Sequence, residues 1–199
     1  HPSTTAESTM PTDALPQFET IRVAAHGNVA VLTLNRPQRL NAAPPQMFDE
    51  IRAALQHLPA MGARALLITG EGRAFCSGAD LAGRGEAPTT GRGANTHKVL
   101  TQNYSPTMVA LAQLGMPVVT AVNGVAAGAG ASVAMACDIA IAAPGARFIQ
   151  AFSKIGLVPD SGGTWLLPQR VGLARAMALC MTGDKLSATD AKTMGMIWE

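Results

Sequence analysis

Asp160 follows Pro159 and precedes Ser161-Gly162-Gly163, behind the apolar run Gly156-Leu157-Val158. A carboxylate at the edge of such a run is drawn toward a dry site, where burial raises its pKa and suits it to move protons. The same string is also an ordinary turn or helix cap. Two small-residue turns could complement it. Phe75-Cys76-Ser77-Gly78-Ala79-Asp80-Leu81 follows a strand-like run, and a glycine there can turn a backbone N–H toward a developing oxyanion. Taken alone it is a Gly-containing turn. Asn123-Gly124-Val125-Ala126-Ala127-Gly128-Ala129-Gly130-Ala131 lets a ligand approach the backbone, and a helix opening there directs unpaired N–H groups at it. Tight helix–strand packing explains the same residues. A dinucleotide fingerprint fails, because Val133 occupies the third glycine position after Gly128 and Gly130.

The bulk properties exclude several other chemistries. Of 199 residues 48% are hydrophobic and 14% charged, which is a globular composition with a sizeable core. A net charge of +2 without a dense Lys/Arg cluster argues against nucleic acid or an anionic membrane as partner. Cys76, Cys137 and Cys180 lie far apart with no metal-ligand spacing, so reduced thiols in a cytoplasmic protein and no metal are expected. The apolar stretch 118–143 is broken by Asn123, Gly124, Ser132 and Asp138, which marks it as core and not as a membrane span. His26, His57 and His97 lie in no motif and read as surface or turn positions.

The elements that must position these turns follow from periodicity. Residues 18–25 alternate and residues 29–34 are β-rich, on either side of the turn His26-Gly27-Asn28, which predicts a hairpin. From Pro45, Met47, Ile51, Ala54, Leu55 and Leu58 recur at helical spacing. Residues 65–69, 118–122 and 138–142 read as strands, 99–114 as a helix interrupted early by Pro106, and 173–182 as a further helix. Residues 123–130 form a turn that opens a helix, and 159–163 turn into one running toward Arg170. Residues 1–16 read as a disordered leader or an expression remnant, and 82–95 as a mobile loop. Strands alternating with helices make residues 17–199 one α/β domain without internal repeats.

Four motifs together carry a resemblance. Gly-x-Ala-Asp-Leu, Asn-Gly-x-Ala-x-Gly-x-Gly, Cys137-Asp138 and Gly-Leu-x-Pro-x-x-Gly-Gly stand in the order and spacing of the crotonase (enoyl-CoA hydratase/isomerase) superfamily. The match runs over about residues 18–198. The resemblance implies a spiral of ββα units, an acyl-coenzyme A thioester substrate, no further cofactor, and assembly into homotrimers or hexamers. It implies that the backbone N–H groups of Ala79 and Ala129 hold the thioester oxygen. It also implies that Ala74, Cys76, Asp80, Leu81, Tyr104, Phe152 and Trp165 contribute to substrate binding. Family members continue with C-terminal helices, a part largely absent from this chain, which ends at Glu199.

The acidic positions separate branches of the superfamily. Its hydratases carry two glutamates, at the positions of Ser132 and Phe152, and neither is acidic here. Asp160 stands where several of the isomerases place their acid. The stretch from Phe148 through Pro168, with Asn103-Tyr104-x-Pro and Gly183-Asp184-Lys185-Leu186-Ser187, is similar to the phenylacetate-pathway isomerases. Those enzymes rearrange ring-1,2-epoxyphenylacetyl-CoA and shift double bonds in unsaturated acyl-CoAs. A dehalogenase-like reading makes Asp160 a nucleophile, but such enzymes use a Trp where Phe152 stands. Hydratase-like activity or binding of acyl-CoA without turnover remain as alternatives. The echo of a chymotrypsin-like nucleophile in Asp160-Ser161-Gly162-Gly163 is a chance match, since helical segments stand where that fold needs strands. Arg39 either meets a CoA phosphate or is simply solvated.

Overall fold

The computed structural model describes residues 16–82 and 92–199. The expected leader, Pro16 apart, and residues 83–91 of the expected loop lie outside the described residues. The alternating segments form β1 (Ile21–His26) and β2 (Val29–Leu34), an antiparallel hairpin in which Gly27 takes a φ of +56°. Pro45 opens α1 (Pro45–His57), where its missing N–H costs no helical hydrogen bond. Met47, Phe48, Ile51 and Leu55 form its buried face, and each such side chain contributes about 1.5–3 kcal/mol on leaving water.

Beyond α1 the chain repeats one step. A strand in a first sheet ends in a tight corner and is followed by a three-residue strand in a second sheet. β3 (Ala65–Gly70) leads to β4 (Ala74–Cys76), and β5 (Val118–Val122) leads to β6 (Val125–Ala127). β7 (Ile139–Ala142) leads to β8 (Arg147–Ile149). The first sheet has the order β1-β2-β3-β5-β7 and is parallel from β2 onward. The second has the order β4-β6-β8-β9, where β9 (Lys185–Ser187) pairs antiparallel with β8. The result is the expected α/β spiral of ββα units.

The corners stack through their backbones. A Cβ on Gly124 would stand 2.2 Å from the Arg73 carbonyl oxygen, so only glycine fits there. Asn123 locks the first two corners together: its Nδ2 donates to the Gly72 carbonyl at 2.8 Å, and its Oδ1 accepts the Gly70 N–H at 3.2 Å.

The helical segment expected over 99–114 starts earlier. It runs as α2 (Arg92–Val99), a π-helical turn Leu100–Tyr104, and α3 (Ser105–Ala112). Residues 92–95, expected in a loop, are therefore helical. Pro106 lacks the N–H that would reach the Gln102 carbonyl, and Arg52 Nη1 donates to that oxygen instead, at 3.2 Å. The remaining helices are α4 (Ala129–Met135), α5 (Gly163–Val171), α6 (Leu173–Thr182) and α7 (Ala188–Thr193).

Candidate active site

The turn after β4 is fixed from one side. Ala43 donates its N–H to the Gly78 carbonyl at 2.8 Å and accepts the Asp80 N–H at 3.0 Å. This parallel bridge uses the groups flanking Ala79 and leaves the Ala79 N–H facing the other way. Gly78 has a φ of +101°, and a Cβ there would stand 2.9 Å from the Ala127 carbonyl oxygen and 3.9 Å from the Ala129 nitrogen. The turns after β4 and β6 are thus in contact. Gly128, with φ +51° and ψ −125°, spends its N–H on the Ile149 carbonyl and lets Ala129 begin α4. Among the described residues neither the Ala79 N–H nor the Ala129 N–H has a backbone acceptor. Two such donors side by side can stabilise one oxygen that gains negative charge.

Asp160 is held at the start of α5. Its carbonyl accepts the Gly163 N–H at 2.8 Å and the Ser132 hydroxyl at 3.1 Å. Its Oδ1 accepts the Ser161 hydroxyl at 3.0 Å. Ser161 sits in the left-handed region at φ +50°, which a non-glycine residue adopts only when its surroundings enforce it.

One cavity of about 140 Å³ brings together Ala79, Ala129 and Asp160 with Leu81, Tyr104 and Phe152. Among the described lining residues Asp160 is the only carboxylate. At the two positions where hydratases carry acids, Ser132 is fully buried on the Asp160 main chain, and the Phe152 ring packs toward Gly128. Thr96 and Leu100 also line the cavity and carried no motif, whereas Leu157 belongs to the Gly-Leu-x-Pro-x-x-Gly-Gly motif and Ile155 to the stretch before it. Thr96 and Leu100 recur with Tyr104 every four residues, and that helical stripe was the only available signal for the first two.

Four expected binding residues lie elsewhere. Ala74 is buried in β4, with its carbonyl accepting from Asn41 Nδ2 at 2.8 Å. Cys76 is buried against Gly130, and burial pushes its thiol up to about 11. Asp80 points back to Arg36 Nη1 at 2.8 Å and accepts the Ala82 N–H at 3.0 Å. The Ala82 N–H foremost, with help from Arg36, holds its carboxyl below the usual range against the opposing effect of burial. Trp165 is 69% exposed and borders a separate apolar groove with Met108 and Leu166. Successive residues on a strand or bridge face opposite ways, so Asp80 leaves the cavity although Gly78, Ala79 and Leu81 line it. Arg39 is exposed in its turn. His26 and His97 are exposed, and His57 Nδ1 lies 2.8 Å from the Ala53 carbonyl oxygen of its own helix. Among the described residues no cluster of three metal-ligating side chains occurs, and no helix is long and apolar enough to cross a membrane.

Comparison with known proteins places this geometry. The chain is 49% identical over 182 residues to a probable enoyl-CoA hydratase of Rhodobacter capsulatus, covering 92% of this chain and 68% of that protein. It is also 49% identical over 172 residues to the 1,2-epoxyphenylacetyl-CoA isomerase of Escherichia coli, covering 86% and 65%. The chain thus spans about two thirds of the length of these relatives. A putative enoyl-CoA hydratase from Streptomyces coelicolor superposes with a TM-score of 0.81 at 36% identity, over 100% of this chain and 71% of that one. A putative enoyl-CoA hydratase from Thermobifida fusca, solved with acetoacetyl-CoA, gives 0.80 at 32% identity over 89% and 72%. Residues 24–199 match the enoyl-CoA hydratase/isomerase family, and the chain belongs to it.

Proposed function

We propose that the protein is an acyl-CoA isomerase working with a single carboxylate. The N–H groups of Ala79 and Ala129 hold the thioester oxygen while Asp160 removes a proton from the carbon next to the thioester. The electron pair moves onto the oxygen to give a dienolate, and Asp160 returns the proton two carbons further along. The double bond then stands in conjugation with the thioester. One group serves as base and then as acid, so no second carboxylate is needed. Removing one oxyanion donor typically costs about 3–4 kcal/mol of barrier, which makes the register of the two turns critical.

The observation that carries the reading is Asp160 as the only carboxylate among the described residues lining the cavity that contains Ala79 and Ala129. The identity to the 1,2-epoxyphenylacetyl-CoA isomerase supports it and extends it to an epoxide-bearing phenylacetyl thioester as a candidate acyl group. For that substrate the same two donors would polarise the thioester during ring expansion. A hydratase-like reading is favoured by the equal identity to a probable enoyl-CoA hydratase, with Asp160 activating water. The three free cysteines fit a reducing, cytoplasmic setting, and coenzyme A enters only as part of the substrate. An exposed stripe on α6, Leu173, Met177 and Met181, supports assembly into a trimer or hexamer.

The test follows conversion of trans-3-hexenoyl-CoA to the conjugated 2-enoyl thioester by ultraviolet absorbance, with Asp160→Asn alongside. Conversion by the wild type and none by the variant is the expected result. Conversion retained in the variant, or hydration of trans-2-hexenoyl-CoA without any double-bond shift, would overturn the isomerase reading.

A further inference from the structure

Tyr104 is 1% exposed, and its hydroxyl donates to the Ala43 carbonyl at 3.0 Å. That oxygen also accepts the Asp80 N–H at 3.0 Å, while the Ala43 N–H holds the Gly78 carbonyl at 2.8 Å. Ala43 is therefore a splint along the turn that presents Ala79, and Tyr104 fills the second lone pair of the splint's carbonyl.

The tyrosine is itself held by α1, which begins two residues after Ala43. Its ring stacks on Phe48 with centroids 3.9 Å apart. The π-helical turn that carries it and the first turn of α3 are tied to the same helix at several points. Asn103 Nδ2 donates to Asp49 Oδ2 at 2.6 Å, Arg52 Nη1 to the Gln102 carbonyl at 3.2 Å, and Thr107 Oγ1 to the Phe48 carbonyl at 2.8 Å. A π-turn inserts one residue into a helical turn and is often found at functional sites. Here it places an aromatic hydroxyl on a main-chain oxygen one residue-pair away from Ala79.

Resting on the isomerase reading above, we propose that Tyr104 is a positioning residue that aims the Ala79 N–H through the Ala43 carbonyl. Its hydroxyl restrains the Ala43 peptide, and with it the bridge that sets the direction of the Ala79 N–H. Hydrogen bonds weaken steeply with angle, so a small rotation of this peptide lowers stabilisation of the developing oxyanion more than it weakens binding of the neutral thioester.

The test compares wild type, Tyr104→Phe and Phe48→Leu. Tyr104→Phe keeps the ring and removes the hydroxyl, whereas Phe48→Leu loosens the stack and keeps the hydroxyl. Three quantities are measured for each: kcat and KM with trans-3-hexenoyl-CoA, the enolate absorbance of bound acetoacetyl-CoA, and Tm. For Tyr104→Phe, kcat is expected to fall about tenfold, a part of the ~100-fold or more lost with a whole oxyanion donor. KM should stay within about twofold and the enolate fraction should fall. For Phe48→Leu, Tm should fall with a smaller loss of kcat. An unchanged kcat and enolate signal in Tyr104→Phe would overturn the proposal, as would a rise in KM alone, or losses of kcat that track Tm in both variants. A wild type without double-bond shift sinks the isomerase reading, and the acetoacetyl-CoA signal then still decides whether Tyr104 acts on the oxygen site. A wild type that neither converts the thioester nor enolises acetoacetyl-CoA overturns both.

Discussion

Ser132 gives its fully buried hydroxyl to the main-chain carbonyl of Asp160, at 3.1 Å, so α4 supports the carboxylate of the neighbouring turn from below. The position where a hydratase carries an acid serves here as a prop for a different acid. Ser132→Ala leaves that carbonyl with the Gly163 N–H and is expected to cost about 1 kcal/mol of stability, read as a lower midpoint in urea. Ser132→Glu is expected to cost more than about 2 kcal/mol, because a larger, charged group enters a site already within 3.0 Å of a Cβ built on Gly163. Hydration of trans-2-hexenoyl-CoA by that variant at the wild-type level of stability would contradict this account.

Gly130 allows α4 to lie against β4. A Cβ there would meet the Cys76 carbonyl oxygen at 2.3 Å, its Cβ at 2.7 Å and its Sγ at 2.8 Å. Gly130→Ala is expected to destabilise by about 1–3 kcal/mol, the usual range for overpacking. Adding Cys76→Ala should not restore the loss, since the closest atom belongs to the backbone. Thermal unfolding of the single and double variants checks both statements.

Asp80 ties stability to acid. Its carboxyl is held below its ordinary value of 3.8, first by the Ala82 N–H and then by Arg36. A depressed folded-state pKa means that the unfolded chain binds the proton more readily. The contribution is therefore complete above the ordinary carboxyl range and disappears as pH falls through the lower folded value. Asp80→Asn is expected to be less stable than wild type at pH 7 and to converge with it in strong acid. Denaturant midpoints across that range measure the convergence.

The three thiols should separate by access. Burial raises Cys76 to about 11 and pushes Cys137 upward, and both side chains lie inside the fold. Cys180, on α6, is only partly covered, although burial raises its thiol as well. Because the thiolate is the reactive form, iodoacetamide at pH 8 should modify Cys180 first and reach the other two only on unfolding. Peptide mapping of a time course decides the order.

What the sequence made legible is divided by length of element. Residues 173–182 were read as a helix and are one, and the strand at 29–34 lies where its β-rich composition predicts. The second sheet was invisible, because β4, β6, β8 and β9 have three residues each, too few to display a period of two. Their pairing partners define them. Asp160, Ala79 and Ala129, which line one cavity, were singled out through the order of four motifs, whereas Leu100 and Ile155 needed the folded chain. Ala74, Cys76, Asp80 and Trp165, expected at the substrate through the resemblance, stand outside the lining of that cavity.

The corner between β3 and β4 rests on the corner between β5 and β6 through main-chain atoms and the side chain of Asn123. Ala79 follows the first of these short strands and Ala129 the second, and the two strands are parallel neighbours. The gap between the two N–H donors is therefore gauged by the spacing of adjacent strands, about 4.8 Å. Such a spacing is set by strand pairing and not by the side chains that line the cavity, although the direction of the Ala79 N–H still answers to Tyr104. On the isomerase reading, Leu81, Phe152 and Leu157 could then be exchanged for substrates of different shape while the distance between the two donors stays the same.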